Sequence, residues 1–394
     1  MLLSSGRTGA SDPDARRALV VHSGGVHVLA AARSLHAAGW EVGVASAHGE
    51  IAHSRAVHRD FSLPAPERDP DGFVEAVAAL VAEHGYDVVF GADDIEVLLL
   101  SARRDEIGCV VPYAAHADVV RAIDKLALVE AAGRVGLAVP QTEVATAAAL
   151  AAVDGPVVVK ARLHWDPAAG GSARHLMARV CAGRDEAQQV ADQMASAGGG
   201  PLLQEVVDGR LSALSVVVDR QGRLLGAVQQ WSPRLSGRLT SCRAVTVPVD
   251  PELLDGVRRL LDEMGWWGLA NLQFMSAPDG PPRLIDLNGR FYGSLALAVG
   301  SGVPLPDLWA RAALGDDVTP SGPGRTGVRF QSFFEDVARA RRERRGGLVR
   351  DLASTLAHAL GAVHPHADLR DPGPLLAVLR EQVRERRPGR GSDG

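Results

Sequence analysis

Short apolar segments alternate with helical segments along the first part of the chain, and this alternation restricts the fold more than any other feature. Residues 18–21 predict a buried strand, and residues 26–39 predict a helix that ends at a glycine. The same strand–helix order recurs twice more before about residue 107. Because the connections are short, successive strands are expected to lie parallel in one sheet. The sequence therefore predicts a parallel α/β unit over residues 17–116.

Beyond a helix predicted at 145–152, the pattern changes to consecutive strands with few helices between them. Asp250 is the predicted N-cap of an amphipathic helix that precedes two strands, 268–276 and 283–288, joined by a turn rich in Pro and Gly. The consecutive order favours antiparallel pairing. The sequence thus predicts an α/β unit followed by an α+β region. The other strands predicted in this region are 156–163, 174–181, 201–207, 211–219 and 224–231.

Charge and composition exclude several classes of protein. The formal net charge of −5 gives no reason to expect nucleic-acid binding. Three widely spaced cysteines argue against a disulfide framework or a Cys-rich zinc site and suit a reducing compartment. No apolar run reaches the length of a membrane span, and no signal peptide is read, so we expect a cytoplasmic protein without a membrane partner. The arginine-rich sequence from about residue 335 is typical of a solvated helix face and a frayed tail, with partner binding as the alternative.

The segment 283–294, RLIDLNGRFYGS, combines an apolar strand with polar residues at alternate positions. Asp286, Asn288 and Arg290 share one face because side chains on a strand alternate. Gln273 would join that face if its strand pairs antiparallel with this one across the short turn. Oxygen ligands of this kind suit Mg²⁺, and Arg290 would neutralise a phosphoryl group. A solvated polar face explains the twelve residues equally well.

Two lysines and two further segments favour a nucleotide site. Lys160 ends an apolar strand ten residues before the Gly-Gly-Ser of residues 170–172, whose glycines permit backbone N–H groups to turn toward a phosphate. Lys125 lies near the start of a predicted helix. Residues 202–209, LLQEVVDG, form a strand able to offer backbone donors and acceptors to an adenine edge. Taken singly, each feature is also typical of an ordinary turn, strand or exposed lysine.

In this order along the chain, the motifs resemble the ATP-grasp superfamily of ATP-dependent carboxylate–amine ligases. The likeness to carbamoyl-phosphate-synthase-type members is closest, and it covers about residues 17–315. It implies an N-terminal parallel α/β domain followed by a two-lobed ATP-grasp fold with antiparallel sheets. The boundaries expected are a disordered N-terminus at 1–16, a pre-ATP-grasp domain at 17–116, an ATP-grasp domain at 117–315 with a flexible lobe at about 145–205, and an Arg-rich helical extension at 316–394.

The resemblance also implies a role for individual residues. Gln273, Asp286 and Asn288 would hold one or two Mg²⁺, with Mn²⁺ as an alternative. Arg290 would stabilise phosphoryl transfer and the acylphosphate. Asp286 stands where the family usually has glutamate, and Leu211 replaces a common acidic ribose ligand. Either Asp208 would bind the ribose instead, or the ribose would be held loosely. The residues implied to contact ATP are Lys125, Lys160, Gly170, Gly171, Ser172, Gln204, Glu205, Val206, Val207 and Asp208.

The implied reaction uses ATP to convert a small carboxylate, such as an amino acid or a peptide, into an acylphosphate. An amine then attacks the acylphosphate to give an amide, ADP and phosphate. Arg238 and Arg243 lie between the adenine and metal strands, and Arg243 is the candidate clamp for the substrate carboxylate, with an ordinary surface arginine as the alternative. Phosphorylation without ligation and a non-catalytic ATP-binding scaffold also remain open. The sequence leaves the two substrates undetermined, and a homodimer stays open beside a monomer.

Overall fold

The structure is a computed structural model of the chain. Residues 1–14, part of the predicted disordered N-terminus, lie outside the described residues. The residues that it describes are 15–46, 51, 53–163, 177–236, 241–277 and 280–385.

The N-terminal unit alternates strands and helices around a parallel sheet, as predicted. Its elements are β1 (Arg17–His22), α1 (Val26–Ala37), β2 (Glu41–Ser46), β3 (Arg59–Ser62), α2 (Pro70–His84), β4 (Val88–Gly91), α3 (Asp94–Ala102) and α4 (Arg104–Ile107). The strand order is β3-β2-β1-β4, and every pair is parallel. The sequence analysis missed β3, in which Phe61 alone is buried and no apolar run marks the strand.

A small antiparallel sheet follows, with strand order β5-β8-β6-β7. The sequence analysis missed its covering helix α8, whose buried face consists mostly of alanine and valine. That face packs on Val159 and Leu203 to form a separate core. The elements of this region are α5 (His116–Ile123), α6 (Lys125–Arg134), β5 (Thr142–Val144), α7 (Ala147–Ala151), β6 (Val157–Ala161), β7 (Arg179–Cys181), α8 (Arg184–Ser196) and β8 (Pro201–Glu205).

The large sheet completes the fold and has the strand order β13-β12-β9-β10-β11-β14-β15. Asp250 is the N-cap of α9, as predicted, since its carboxylate accepts from the backbone N–H groups of Glu252 and Leu253. In the described segments, no helix combines the length and the apolarity needed to cross a bilayer. The elements are β9 (Arg210–Val218), β10 (Leu224–Leu235), β11 (Ser241–Val247), α9 (Pro251–Glu263), β12 (Gly268–Ser276), β13 (Arg283–Asn288), α10 (Leu295–Gly300), α11 (Leu305–Ala313), β14 (Arg329–Gln331), α12 (Phe333–Glu343), α13 (Leu348–Ala359), β15 (Ala362–Val363) and α14 (Gly373–Glu385).

The arginine-rich C-terminal segment is not uniformly the solvated face that its composition predicts. Arg341 and Arg342 are exposed, but Arg339 is fully buried on α12. Its Nε donates to Asp336 Oδ1 (2.8 Å) and its Nη2 to Asp351 Oδ1 (2.7 Å). The prediction is wrong for Arg339 because buried carboxylates from α12 and α13 satisfy its charge. Moreover, β14 and β15 belong to the large sheet, so part of the segment after residue 316 is built into the fold.

Trp309 of α11 joins the N-terminal unit to the large sheet. Its ring packs edge-on against Phe90 of β4, with 4.7 Å between centroids, and lies 5.5 Å from the ring of Phe291. Its indole N–H donates to the carbonyl of Pro112 at 2.9 Å. Because Phe90 lies near the end of β4 and Phe291 follows β13, this packing places the carboxyl end of β4 beside the end of β13.

Candidate active site

The three predicted metal ligands lie on one face of the large sheet. Strands β12 and β13 pair antiparallel, with Gln273 opposite Asp286 and Asn271 opposite Asn288. Cross-strand partners and alternate residues share a face, so Gln273, Asp286 and Asn288 are neighbours there. The register then shifts, because Phe274 pairs with Leu284 and Ile285 is left as an extra residue. This bulge interrupts the regular ladder directly beside Asp286.

The chemistry of these donors fits a magnesium ion that shares its ligands with phosphates. The set offers one carboxylate and two amide oxygens, and all three side chains are half-buried. Mg²⁺ typically takes one or two carboxylates and completes its octahedron with water and substrate oxygens. Over the described residues, no group of three or more His, Cys, Asp or Glu side chains could hold a metal. With one carboxylate and two amides, this donor set suits a metal that a nucleotide also binds rather than one held by the protein alone.

Two buried lysines reach this strand from different elements. Lys160, on β6, donates from Nζ to the carbonyl of the bulged Ile285 at 3.0 Å. Lys125, at the start of α6, places its Nζ 3.9 Å from Asp286 Oδ1. Each lysine is only 5% exposed. The structure thus brings together two predicted phosphate contacts and a predicted metal ligand.

Asp124 explains how Lys125 is held at the first residue of α6. Its carboxylate caps the helix by accepting from the N–H groups of Leu126 and Ala127. It also binds the guanidinium of Arg162 through Nε (2.8 Å) and Nη2 (2.6 Å). A cation at a helix N-terminus is opposed by the helix dipole, so helix stability does not account for a lysine there. Its position is better explained by the anionic groups that it faces.

Burial lowers the pKa of Lys160 to about 8, and the positive charge of Lys125 adds to that effect. The carboxylate of Asp286 acts in the opposite direction. Lys160 is therefore close to half-protonated near pH 8. An anion bound beside it would favour the charged ammonium form.

The predicted adenine segment lies at the end of the small sheet. Gln204 is buried and donates from Nε2 to Thr142 Oγ1 at 2.8 Å. Glu205 accepts from Arg283 Nη1 at 2.6 Å, a bond that holds the pKa of Glu205 below its usual range. Val206 is 36% exposed and Asp208 is exposed. The Glu205–Arg283 contact ties this segment to the first residue of β13.

Some predicted site residues lie elsewhere. Gly170, Gly171, Ser172 and Arg238 fall outside the described residues. Arg243 is buried and donates from Nε to Asp336 Oδ2 (2.6 Å) and from Nη2 to Thr355 Oγ1 (3.2 Å). Along β11 it points to the face opposite that of Ala244, which packs with Leu297 of α10. A substrate clamp at Arg243 stays a prediction, and its guanidinium has partners in α12 and α13.

Arg290 connects the metal strand to the N-terminal unit, a contact that sequence reasoning missed. Its Nε donates to Asp94 Oδ1 at 2.6 Å, and its Nη2 lies 3.6 Å from Asp93 Oδ1. Burial alone would lower the pKa of Arg290, but the attraction of Asp94 and Asp93 holds it above the ordinary value. The available signal was the Asp-Asp pair that begins two residues after β4, where open parallel sheets commonly bind ligands.

Two further titratable groups, Glu96 and His27, lie near this ion pair. Glu96 accepts from Ser23 Oγ at 2.5 Å and from the backbone N–H of Asp93 at 2.9 Å. Burial, reinforced by the charge of Asp93, raises the pKa of Glu96 to about 8. His27 donates from Nε2 to the carbonyl of Ala92 at 3.1 Å, and burial together with Arg290 lowers its pKa to about 3. At neutral pH both side chains are therefore predominantly uncharged.

Glu96 makes stability depend on pH. Its folded pKa lies above the unfolded value, so its favourable contribution is complete below the unfolded pKa and is lost as the pH rises through about 8. We expect the free energy of unfolding, measured with urea, to fall less between pH 5.5 and pH 8.5 in Glu96→Gln than in the wild type. Glu83→Gln, at an exposed carboxylate of α2, is the control. Identical pH dependences in the wild type and Glu96→Gln would contradict the assignment.

A family model described as "ATP-grasp in the biosynthetic pathway with Ter operon" matches residues 201–333, which include β12, β13 and Arg290. No curated protein matches the sequence. Solved structures share the fold at low identity. The biotin carboxylase domain dimer of Hydrogenobacter thermophilus 2-oxoglutarate carboxylase, in complex with MgADP, ADP and bicarbonate, is 15% identical, with 79% of this chain and 73% of that chain covered and a TM-score of 0.61.

Two further neighbours have different activities in their names. An L-amino acid ligase from Bacillus licheniformis is 16% identical over 78% of each chain, with a TM-score of 0.60. An N5-carboxyaminoimidazole ribonucleotide synthetase in complex with ADP is 14% identical over 84% of this chain and 86% of that chain, with a TM-score of 0.61. These likenesses confirm the predicted fold class, a parallel N-terminal sheet followed by antiparallel sheets.

Proposed function

We propose that this chain is an ATP-grasp protein and that it acts as an ATP- and Mg²⁺-dependent carboxylate–amine ligase. It would phosphorylate a small carboxylate, such as that of an amino acid or a peptide, and couple the resulting acylphosphate to an amine. The products are an amide, ADP and phosphate. The substrates remain proposals, as does a homodimer of the kind that the Hydrogenobacter thermophilus domain forms.

The observation that supports this function most strongly is that oxygen donors and ammonium groups lie close together around β13. Gln273, Asp286 and Asn288 supply oxygen donors on one face. Lys125 and Lys160 approach the same strand with their ammonium groups. A solvated polar strand has no need of buried cations, because water would solvate its carboxylate. Oxygen donors beside fixed positive charges are what a polyphosphate with a hard metal requires.

Each group of this chain has a distinct task in the proposed reaction. Lys125 and Lys160 would bind the phosphates, and the three oxygen donors would hold the metal. Mg²⁺, when bound, would neutralise charge on the phosphates and polarise the bond that breaks. Arg290 would bind the oxygens that carry negative charge as the phosphoryl group moves to the carboxylate. This transfer replaces oxide, a poor leaving group, by phosphate, which the amine can displace.

The experiment that tests this function combines ADP release with product mass. The purified protein is incubated with MgATP and with pools of amino acids, peptides and amines, and ADP is measured. We expect ADP to form only when a carboxylate is supplied, together with a product whose mass equals that of carboxylate plus amine minus water. A phosphorylated carboxylate without the coupled product would indicate phosphorylation alone. MgATP binding with no ADP from any pool would support a non-catalytic scaffold.

The lowered pKa of Lys160 predicts that nucleotide binding is linked to proton uptake. This prediction can be tested without knowing the substrates. Since the pKa of Lys160 is about 8 without nucleotide, a bound phosphate should raise that pKa and draw a proton onto the amine. MgADP binding is therefore expected to take up protons near pH 8 and to weaken at higher pH. Calorimetry in buffers of different ionisation enthalpy measures the uptake. Lys160→Met should abolish it, and equal heats in all buffers for the wild type would contradict a phosphate contact at Lys160.

A further inference from the structure

The N-terminal unit reaches the candidate site through Arg290. This residue follows Asn288 by two positions, just beyond the end of β13. Its guanidinium contacts Asp94, the first residue of α3, which is 196 positions away in the sequence. Both side chains are largely buried, with exposed fractions of 10% for Arg290 and 14% for Asp94. The contact is therefore shielded from solvent and close to the proposed metal ligands.

The pairing uses only part of the hydrogen-bonding capacity of Arg290. A guanidinium carries five N–H donors. Among the described residues, Nε donates to Asp94 at 2.6 Å and Nη1 donates to the carbonyl of Phe291 at 3.2 Å. Nη2 lies 3.6 Å from Asp93 Oδ1, which is longer than a hydrogen bond. The bond at Nε thus fixes the plane of the guanidinium and leaves N–H groups on the two terminal nitrogens for another anion.

The anchor itself is rigid. Asp93 caps α3, and the capping box is closed by Glu96, whose side chain accepts from the N–H of Asp93. Glu96 is completely buried and also bonded to Ser23. A carboxylate at the first residue of a helix is further stabilised by the helix dipole. Asp94 therefore has little freedom, and the side chain that it holds is ordered before any ligand binds.

We propose that Asp94 is a positioning residue, which holds the guanidinium of Arg290 so that its remaining N–H groups bind the phosphoryl group in transfer. The inference rests on the function proposed above and extends the catalytic arrangement into the N-terminal unit. Preorganised donors stabilise a transition state more than flexible ones do, since no ordering is needed as charge develops. Asp94 acts through Arg290 and touches neither substrate nor nucleotide.

A purely structural ion pair between two parts of the chain is the alternative, and the molecule offers a matched control for it. Asp307 of α11 accepts from the indole N–H of Trp40 at 2.8 Å, so it also ties the N-terminal unit to the rest of the fold. It is buried to a similar degree, being 8% exposed. Asp307 lies outside the proposed site. Losing it should weaken the fold without affecting the phosphoryl group.

The test uses MgADP with aluminium fluoride, a mimic of the transferring phosphoryl group, and compares its affinity with that of MgADP alone by calorimetry. In the wild type, aluminium fluoride is expected to strengthen binding. In Asp94→Ala, this increment should fall by about tenfold to a hundredfold, while the affinity for MgADP stays unchanged. The loss is smaller than the hundredfold to thousandfold typical of removing a preorganised donor outright, because Arg290 itself is still present. Asp94→Asn retains an acceptor at the same position and should recover part of the increment. Asp307→Ala should keep the whole increment, even if it unfolds at a lower urea concentration.

The outcomes separate this inference from the proposed function. If aluminium fluoride strengthened MgADP binding as much in Asp94→Ala as in the wild type, the positioning role would be overturned and the ligase proposal would stand. An equal loss in Asp94→Ala and Asp307→Ala would also overturn it, because that result indicates general destabilisation. Wild-type protein that binds MgADP but gains nothing from aluminium fluoride would overturn the role of Arg290 in phosphoryl transfer, and the role of Asp94 with it.

Discussion

Asp286→Asn is expected to abolish ADP formation while the protein stays folded. Asp286 is the one carboxylate among the three proposed metal ligands, and its Oδ1 lies 3.9 Å from the ammonium of Lys125. The substitution keeps the size of the side chain and removes its charge. A metal at such a site supplies several kcal/mol of charge stabilisation, so the rate of ADP formation should fall by about a hundredfold or more. Asn288→Ala, which removes an amide ligand from the same face, should have a similar effect.

The measurement is ADP release at saturating MgATP, with urea unfolding as the check on folding. Asp255→Asn is the matched control, because it makes the same change at an exposed carboxylate of α9. We expect the control to keep wild-type activity. If Asp286→Asn and Asn288→Ala retained normal turnover, the assignment of the metal site to this face of the large sheet would be wrong.

Arg339→Met is expected to produce the largest loss of stability among the substitutions considered. Arg339 is fully buried and donates to Asp336 and to both carboxylate oxygens of Asp351. Removing one partner from a buried ionic network leaves uncompensated charge and typically costs about 3–5 kcal/mol. Methionine fills similar space, so most of the loss should come from the charge rather than from a cavity.

The exposed Arg342 on the same helix provides the control. Arg342→Met changes the same chemical groups in solvent, where a single substitution usually alters the free energy of unfolding by less than about 0.5 kcal/mol. Urea unfolding of both variants at neutral pH measures the difference. Equal stabilities would show that the charges of the two aspartates are already compensated by Arg234 and Arg243, which contact the same carboxylates.

Local periodicity predicted most of the elements that carry the site. The strands β1, β2 and β4 are visible as continuous apolar runs because they are buried along nearly their whole length. The hairpin of β12 and β13 is visible because a turn rich in Pro and Gly joins two apolar strands. The short strands β14 and β15 carry no such signal, because their place is determined by pairing rather than by their own composition: β14 pairs with β11, and β15 pairs with β14. The same limitation applies to Arg339. Its burial depends on the carboxylates of Asp336 and Asp351, and the composition of the segment does not show that they lie next to Arg339.

The sequence by itself determined the alternation of polar groups along β13 and the placement of Asp286 opposite Gln273. Both follow from strand geometry and a short turn. Only the tertiary structure decided which distant groups meet there. Lys160 reaches a carbonyl 125 positions away, and Asp94 reaches a guanidinium 196 positions away. Such contacts depend on how separate sheets pack, and that packing is the summed effect of many buried side chains such as Phe90, Phe291 and Trp309. No spacing between residues along the chain therefore predicts how the sheets pack.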